Sequence, residues 1–429
     1  MRRIATGAAW SVIASIVSRA MAFVMSVVVV RLLGNESFGR FGIISGTIAT
    51  FSVVGTLGMG VASTKLVAQN RTSDPARAGR TLASAVAASL AMGGVVALSL
   101  VLLAPWLAAE VLGDASLIPA LRLSGLALFF IAWSSAQAGG LGGIEAFSAA
   151  AKVSMLGGAL IFLFSVIGVW KWGLIGAVAA IPIGNACQCV IQEIALRSAS
   201  RRAKISYPYA HPFSEMRVVL TVGFPAMLSA AVYVPATWLG SVILVRHAGY
   251  QEMAVFAIAD QWFNLVLMLP VVLGGVLLPV MTNVFSANDG EASQSLLRRT
   301  FLGNLGISFV PLVVIMPFGF LILRIYGPTY PPSWRVLSVM VLAACVFAAL
   351  SPIGHALTAT GRMWLGSAMN LGWSAAYLTL GYLLVASHGQ GALGLALARL
   401  LAYAVHAIWS LGYLRAALRR GSGGLAIRI

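Results

Sequence analysis

The sequence has 429 residues, of which 60% are hydrophobic and only 9% charged, with a mean hydropathy of +0.94. Soluble domains carry about 25% charged residues, so composition excludes a soluble globular or disordered protein and leaves a polytopic membrane protein. The 28 Lys and Arg outweigh 11 Asp and Glu to give a net charge of +17, and the apolar runs are far longer than the roughly ten-residue alternating segments of a transmembrane β-barrel.

A span needs about 20 apolar residues to cross the bilayer core. In chain order the candidates are residues 7–32, 40–64, 80–104, 117–140, 149–169, 172–194, 216–244, 253–285, 301–324, 334–358, 364–386 and 391–414. These spans predict an all-α polytopic membrane protein of about twelve transmembrane helices. Arg2 and Arg3 ahead of the first run imitate a signal peptide, but the run is too long for a signal h-region and reads as a membrane helix. The fifth and sixth spans are separated only by Val169–Trp172, the weakest boundary. Pro225 and Pro235 fall in the seventh span, Pro270 and Pro279 in the eighth, and Pro311 and Pro317 in the ninth. Prolines bend helices, so the second half reads as the more mobile element.

Charge tests the count. With a cytoplasmic N-terminus, 19 of the 28 Lys and Arg fall in inner segments and seven in outer ones, while Arg19 and Arg399 stay within spans. Positive charge concentrates on the cytoplasmic side of membrane proteins. The excess therefore predicts cytoplasmic N- and C-termini, and assigns the basicity to topology and anionic lipid rather than to nucleic acid.

An internal repeat underlies the spans. Shifted by 215, Arg31 falls on Arg246, Gly34 on Gly249, Phe41 on Phe256, Ile43 on Ile258 and Gly60 on Gly275. At a shift of 218, Gly173-Leu174-Ile175-Gly176 falls on Gly391-Ala392-Leu393-Gly394, and Leu196-Arg197 on Leu414-Arg415. Two six-helix copies are in parallel orientation, an arrangement in which transporters place substrate between the halves. The expected organisation is an N-terminal bundle over 1–200, a cytoplasmic linker over 201–215, a C-terminal bundle over 216–415 and a basic tail over 416–429. No ATP-binding loop and no segment large enough for a catalytic domain interrupts this plan, so the chain reads as a transporter and not an enzyme.

Ionisable residues inside a membrane are costly and face a cavity or a partner. Arg19 lies midway along the first span on a stripe with Ser11, Ser15, Ala22 and Ser26. That stripe suits a wet cavity and an anionic ligand, or alternatively a pairing with a neighbouring helix. Arg399, Tyr403 and His406 share one face of the last span. They fit cavity lining that meets phosphate or sugar, with snorkelling of Arg399 as the alternative. Asp260, beside Gln261, Trp262 and Asn264, reads as a proton or cation site or as the fixed partner of an arginine. His355 is a weaker candidate for ion coupling. Cys187, Cys189 and Cys345 lie in apolar runs and indicate neither a disulfide framework nor a metal site, and no cofactor is expected.

The stretches Gly7-Ala8-Ala9-Trp10, Val30–Phe41 (VRLLGNESFGRF) and Leu57-Gly58-Met59-Gly60 resemble the opening of Wzx-type polysaccharide flippases, and Gly173–Gly176 fits the same pattern. That family belongs to the superfamily that includes MATE exporters and the lipid II flippase. Unlike many MATE exporters, this chain has Arg19 and no acidic residue in its first span. The resemblance implies an inner-membrane flippase that moves polyprenyl-pyrophosphate-linked oligosaccharide from the cytoplasmic to the outer leaflet by alternating access. A polysaccharide polymerase and glycosyltransferases are the implied partners.

Two rivals are weighed against it. A cation-coupled multidrug exporter on the same fold would favour carboxylates and aromatics in its cavity, and Asp260 keeps that reading open. A membrane polysaccharide polymerase or ligase would need a sizeable outer loop with acids or histidines, which the short outer segments lack.

Overall fold

In the computed structural model, residues 20, 21, 23–205, 213–286, 290–330, 333–360 and 362–419 are described. Among them the secondary structure is helical, with no strand. The helices are α1 (Phe23–Leu33), α2 (Asn35–Thr56), α3 (Met59–Asn70), α4 (Pro75–Trp106), α5 (Ile118–Gly143), α6 (Phe147–Arg202), α7 (Met216–Ala230), α8 (Tyr233–Val266), α9 (Met268–Ser286), α10 (Gly290–Arg324), α11 (Trp334–Ala359), α12 (Met363–Gly381) and α13 (Gly391–Arg419). Among the described residues, eight helical runs are long and apolar enough to cross a membrane.

Two of these runs, Phe147–Arg202 and Met216–Val266, reach across two of the expected spans. Straight, the 56 residues of α6 would reach about 84 Å, against a bilayer core of about 30 Å. The backbone turns back at Gly173 (φ 56°, ψ −133°), just beyond the expected boundary. There Gly168 and Gly176 pack so closely that a Cβ on Gly176 would sit 1.9 Å from the Gly168 carbonyl oxygen. In the second half, Gly249 (φ 83°, ψ 178°) breaks α8 just as Gly34 (φ 76°, ψ 174°) separates α1 from α2. Gly391 opens α13 at φ 54°, matching Gly173. Repeat-related glycines thus share a positive φ, which side chains disfavour.

Prolines set two further breaks. A proline ring clashes with the carbonyl four residues before it. Pro235 disrupts the ladder at Ala231, between α7 and α8. Pro270 does so at Val266, where α8 gives way to α9.

Contacts divide the chain into two compact units, Met1–Trp238 and Leu239–Ile429. In the first, α4 and α5 pack along each other, and α3, α6 and α7 pack beside them. Small residues permit this: a Cβ on Gly139 would lie 2.2 Å from the Gly60 carbonyl oxygen, and Thr64 Oγ1 donates to the Gly139 carbonyl at 3.1 Å. Helix α7 belongs to this unit because Glu215, at its start, meets Arg77 (3.3 Å) and Arg80 (3.8 Å) on α4. At the far end Trp238 Nε1 donates to Thr47 Oγ1 at 3.0 Å. In the second unit, α10 and α13 pack around the largely buried α11, and α12 lies along α13.

Outside the spans, Arg40 ties the start of α2 to the α4–α5 connection, reaching Glu36 and Asp114 at 3.0 Å each. Partial burial works to raise the Asp114 carboxyl. Hydrogen bonds from the Ser116 hydroxyl and amide, together with the Arg40 guanidinium, outweigh it and hold the group below the usual carboxylate range.

Candidate functional site

The second unit contains a charged pair inside a membrane span. On α8, Phe256, Asp260, Phe263 and Asn264 follow helical spacing and share one face. On α13, Arg399 and Tyr403 do the same, as do Trp373 and Tyr377 on α12. Arg399 is 3% exposed, and its Nη1 donates to Asp260 Oδ1. Its guanidinium carbon lies 5.0 Å from the Phe263 ring centre, 5.2 Å from Phe256 and 5.8 Å from Tyr377. The carboxylate stabilises a charge that hydrocarbon would otherwise reject, and the ring faces add cation–π attraction.

The surroundings are aromatic and closely packed. Tyr403 is buried and its ring stacks 5.2 Å from Trp373, which in turn stacks 5.2 Å from Tyr377. Phe347 of α11 tilts against Tyr403 at 5.2 Å. Asp260 differs from its partner, for its side chain remains 37% exposed. Asn264, also exposed, donates from Nδ2 to Asp260 Oδ2 at 3.1 Å and to the Asp260 carbonyl at 2.8 Å.

Of the residues singled out by sequence, the fold therefore joins Arg399 to Asp260 and stacks Tyr403 one turn along from Arg399. His406 follows on α13, half-buried. His355 lies elsewhere in the unit, on α11, where a Cβ on Gly274 would come within 2.4 Å of its Nε2. Arg19 and Ser15 lie outside the described residues.

The sequence reading passed over two features. One is a polar cluster between α5 and α6. Gln137 Nε2 donates to Glu193 Oε2 at 2.9 Å, Ser134 Oγ to Gln192 Oε1 at 2.8 Å, and Arg197 Nε to Glu193 Oε1 at 2.8 Å. Adjacent Gln192 and Glu193 near the end of an apolar span were the available signal. The other is a cavity of about 790 Å³ in the first unit, whose lining includes Ser52, Thr56, Gly58, Thr64, Lys65 and Ser135. It opens beside the break between α2 and α3, where Leu57 (φ 47°) and Gly58 (φ 65°) are both left-handed. Discontinuous helices at membrane depth are tolerated where they are buried in protein or line a cavity. Among the described residues, no three His, Cys, Asp or Glu side chains gather as a metal site.

The profile of the family described as "Polysaccharide biosynthesis protein" matches residues 4–285. An EPS I polysaccharide export inner membrane protein, EpsE of Ralstonia nicotianae, is 25% identical over 402 residues, covering 90% of this chain and 88% of that protein. Among solved structures, the lipid II flippase MurJ in an inward closed conformation aligns with a TM-score of 0.75 at 16% identity, over 94% of this chain and 87% of that one. An inward-facing multidrug resistance MATE family transporter of the MOP superfamily aligns with a TM-score of 0.73 at 17% identity, over 95% and 99%.

Proposed function

This chain belongs to the polysaccharide biosynthesis protein family, and on that premise we propose that it is a flippase for polyprenyl-pyrophosphate-linked oligosaccharide, the repeat unit of an exported polysaccharide. The observation that carries the reading is the family match over residues 4–285, extended by the export relative's similarity across 90% of the chain. The fold, shared with transporters of the MOP superfamily, supplies a membrane framework for it.

In this reading the lipid tail stays in the bilayer while the head crosses through a wet interior. The two halves of the sequence repeat rock against each other to expose that interior first to the cytoplasm and then to the outer face. The matching backbone of Gly34 and Gly249 and the matching positive φ of Gly173 and Gly391 support the repeat on which this motion rests. Arg19 and Ser15 meet the pyrophosphate, because guanidinium donors match phosphate oxygens in charge and geometry. Arg399 and Tyr403, both buried, stand behind the second-half wall near the sugar, and half-buried His406 follows them on α13. Asp260 is the electrostatic partner of Arg399, and His355 is the remaining titratable candidate for coupling. The termini face the cytoplasm, where basic segments meet anionic lipid, and polymerase and glycosyltransferases act on the same lipid-linked intermediate.

The test is reconstitution. Purified protein in liposomes holding a fluorescent polyprenyl-pyrophosphate oligosaccharide in both leaflets should speed exchange between leaflets, and Arg19→Ala should abolish that exchange. Absence of exchange, with gradient-dependent efflux of cationic dyes instead, would replace this reading with that of a drug exporter.

A further inference from the structure

We infer that Asp260 and Asn264 form a subsite for sugar hydroxyls, with Arg399 as its positioning residue, and that this subsite reads the glycan of the transported lipid; the inference rests on the flippase reading above. The accessibility of the pair is one-sided. Arg399 is 3% exposed and closed in by Phe256, Phe263 and Tyr377, so its guanidinium addresses Asp260 rather than a ligand. Asp260 is 37% exposed, and Asn264, one turn on, is exposed as well. An exposed carboxylate and an exposed amide on a membrane-spanning helix face water or a polar ligand, not lipid.

The chemistry of that open edge selects among ligands. The ion pair is neutral overall, and its accessible rim is the acceptor side. A pyrophosphate approaching it meets a carboxylate first. A free cation meets a carboxylate whose charge Arg399 already balances. A neutral polyol fits: its hydroxyls donate to the exposed carboxylate of Asp260 and to the amide oxygen of Asn264, whose Nδ2 hydrogens are given to Asp260. The buried guanidinium and the hydrogen bond from Asn264 hold the carboxylate in one orientation, and such preorganisation raises discrimination between ligands.

The repeat shows that the pair is not part of the common scaffold. The position matching Asp260 at the shift of 215 is Ser45, and the one matching Arg399 at the shift of 218 is Ile181. The first half holds its spans together without this pair. This ion pair, joining α8 to α13, belongs to the second half and has no counterpart at the matching first-half positions, and specificity for an asymmetric head group calls for such a difference.

The experiment measures binding to the full-length protein in detergent by native mass spectrometry. The probes are lipid-linked oligosaccharides extracted from the producing cells and the same lipids enzymatically trimmed to their first sugar. Wild type should prefer the full glycan by about tenfold, the worth of about one charge-assisted hydrogen bond. In Asn264→Ala, whose side chain is exposed, and in Arg399→Lys, that preference should fall to within about twofold of unity. Asp260→Asn should do the same. An undiminished preference in Asn264→Ala, or full and trimmed lipids weakened equally in every variant, would overturn the subsite. Equal wild-type affinity for both lipids would also overturn it while leaving the flippase reading intact. Failure of wild type to bind either lipid would overturn that reading itself, and the subsite with it.

Discussion

The Arg399–Asp260 pair makes a quantitative prediction when its members are removed singly and together. Breaking a buried ion pair by deleting one partner costs about 3–5 kcal/mol, because the survivor is left as an uncompensated charge. Asp260→Ala strands a guanidinium that is 3% exposed, though three ring faces still attract it and water can enter where the 37%-exposed carboxylate stood. The expected loss is therefore at the low end, about 3 kcal/mol. Arg399→Leu leaves a carboxylate that water already reaches, at a cost of about 1–2 kcal/mol that includes lost contact with the rings. In the double variant a leucine fills an aromatic box and no charge remains, so stability should return to within about 1 kcal/mol of wild type. The coupling is then about 3–5 kcal/mol, which equilibrium denaturation in mild detergent resolves from midpoints at constant slope. Single effects that simply add, with coupling under about 0.5 kcal/mol, would refute the pairing. A double variant that is stable yet no longer exchanges lipid between leaflets would separate the pair's role in function from its role in folding.

Glycine positions give a second set of outcomes. Gly391→Ala forces φ 54° on a residue with a Cβ 2.5 Å from Glu252 Oε2, and disturbs the carboxylate that accepts from the Ala392 amide at 2.7 Å; it should cost about 2 kcal/mol, and Gly34→Ala, with nothing within 4 Å but a glycine-only backbone (φ 76°, ψ 174°), should cost about 2–3 kcal/mol from strain alone, both read by denaturation. Gly139→Ala drives a methyl to 2.2 Å from the Gly60 carbonyl and should cost more than about 3 kcal/mol by the same measurement, while Gly94→Ala, in open space within α4, should be neutral to slightly stabilising. Asp114 is lowered from an ordinary value of 3.8, so its contribution is present above that value and is lost as pH falls through the depressed one. The stability difference between wild type and Asp114→Asn should accordingly stay flat above about pH 5 and shrink on further acidification, as denaturation midpoints across pH will report. Maleimide should label half-buried Cys187 at least about tenfold faster than Cys189, which is 0% exposed and donates from Sγ to the Phe130 carbonyl at 3.2 Å.

Sequence determined the membrane class, the helical class and the repeat, because these depend on properties that act locally. Apolar length decides what crosses a bilayer. Steric freedom at φ near +60 to +80° decides where a chain turns, so Gly34, Gly249, Gly173 and Gly391 mark the breaks before any contact is known. Prolines are less decisive, for Pro235 and Pro270 sit at breaks while Pro225, Pro311 and Pro317 lie within continuous helices. The tertiary structure alone decided which polar groups meet. Arg399 and Asp260 are 139 residues apart and each had more than one reading, snorkelling or cavity lining for the arginine, coupling or pairing for the acid. Gln137 and Glu193 meet across 56 residues, and the approach of Gly139 to the Gly60 carbonyl depends on how α3 crosses α5. A buried charge must find a partner, but its own sequence neighbourhood does not say which one; the crossing of helices distant in the chain makes that choice.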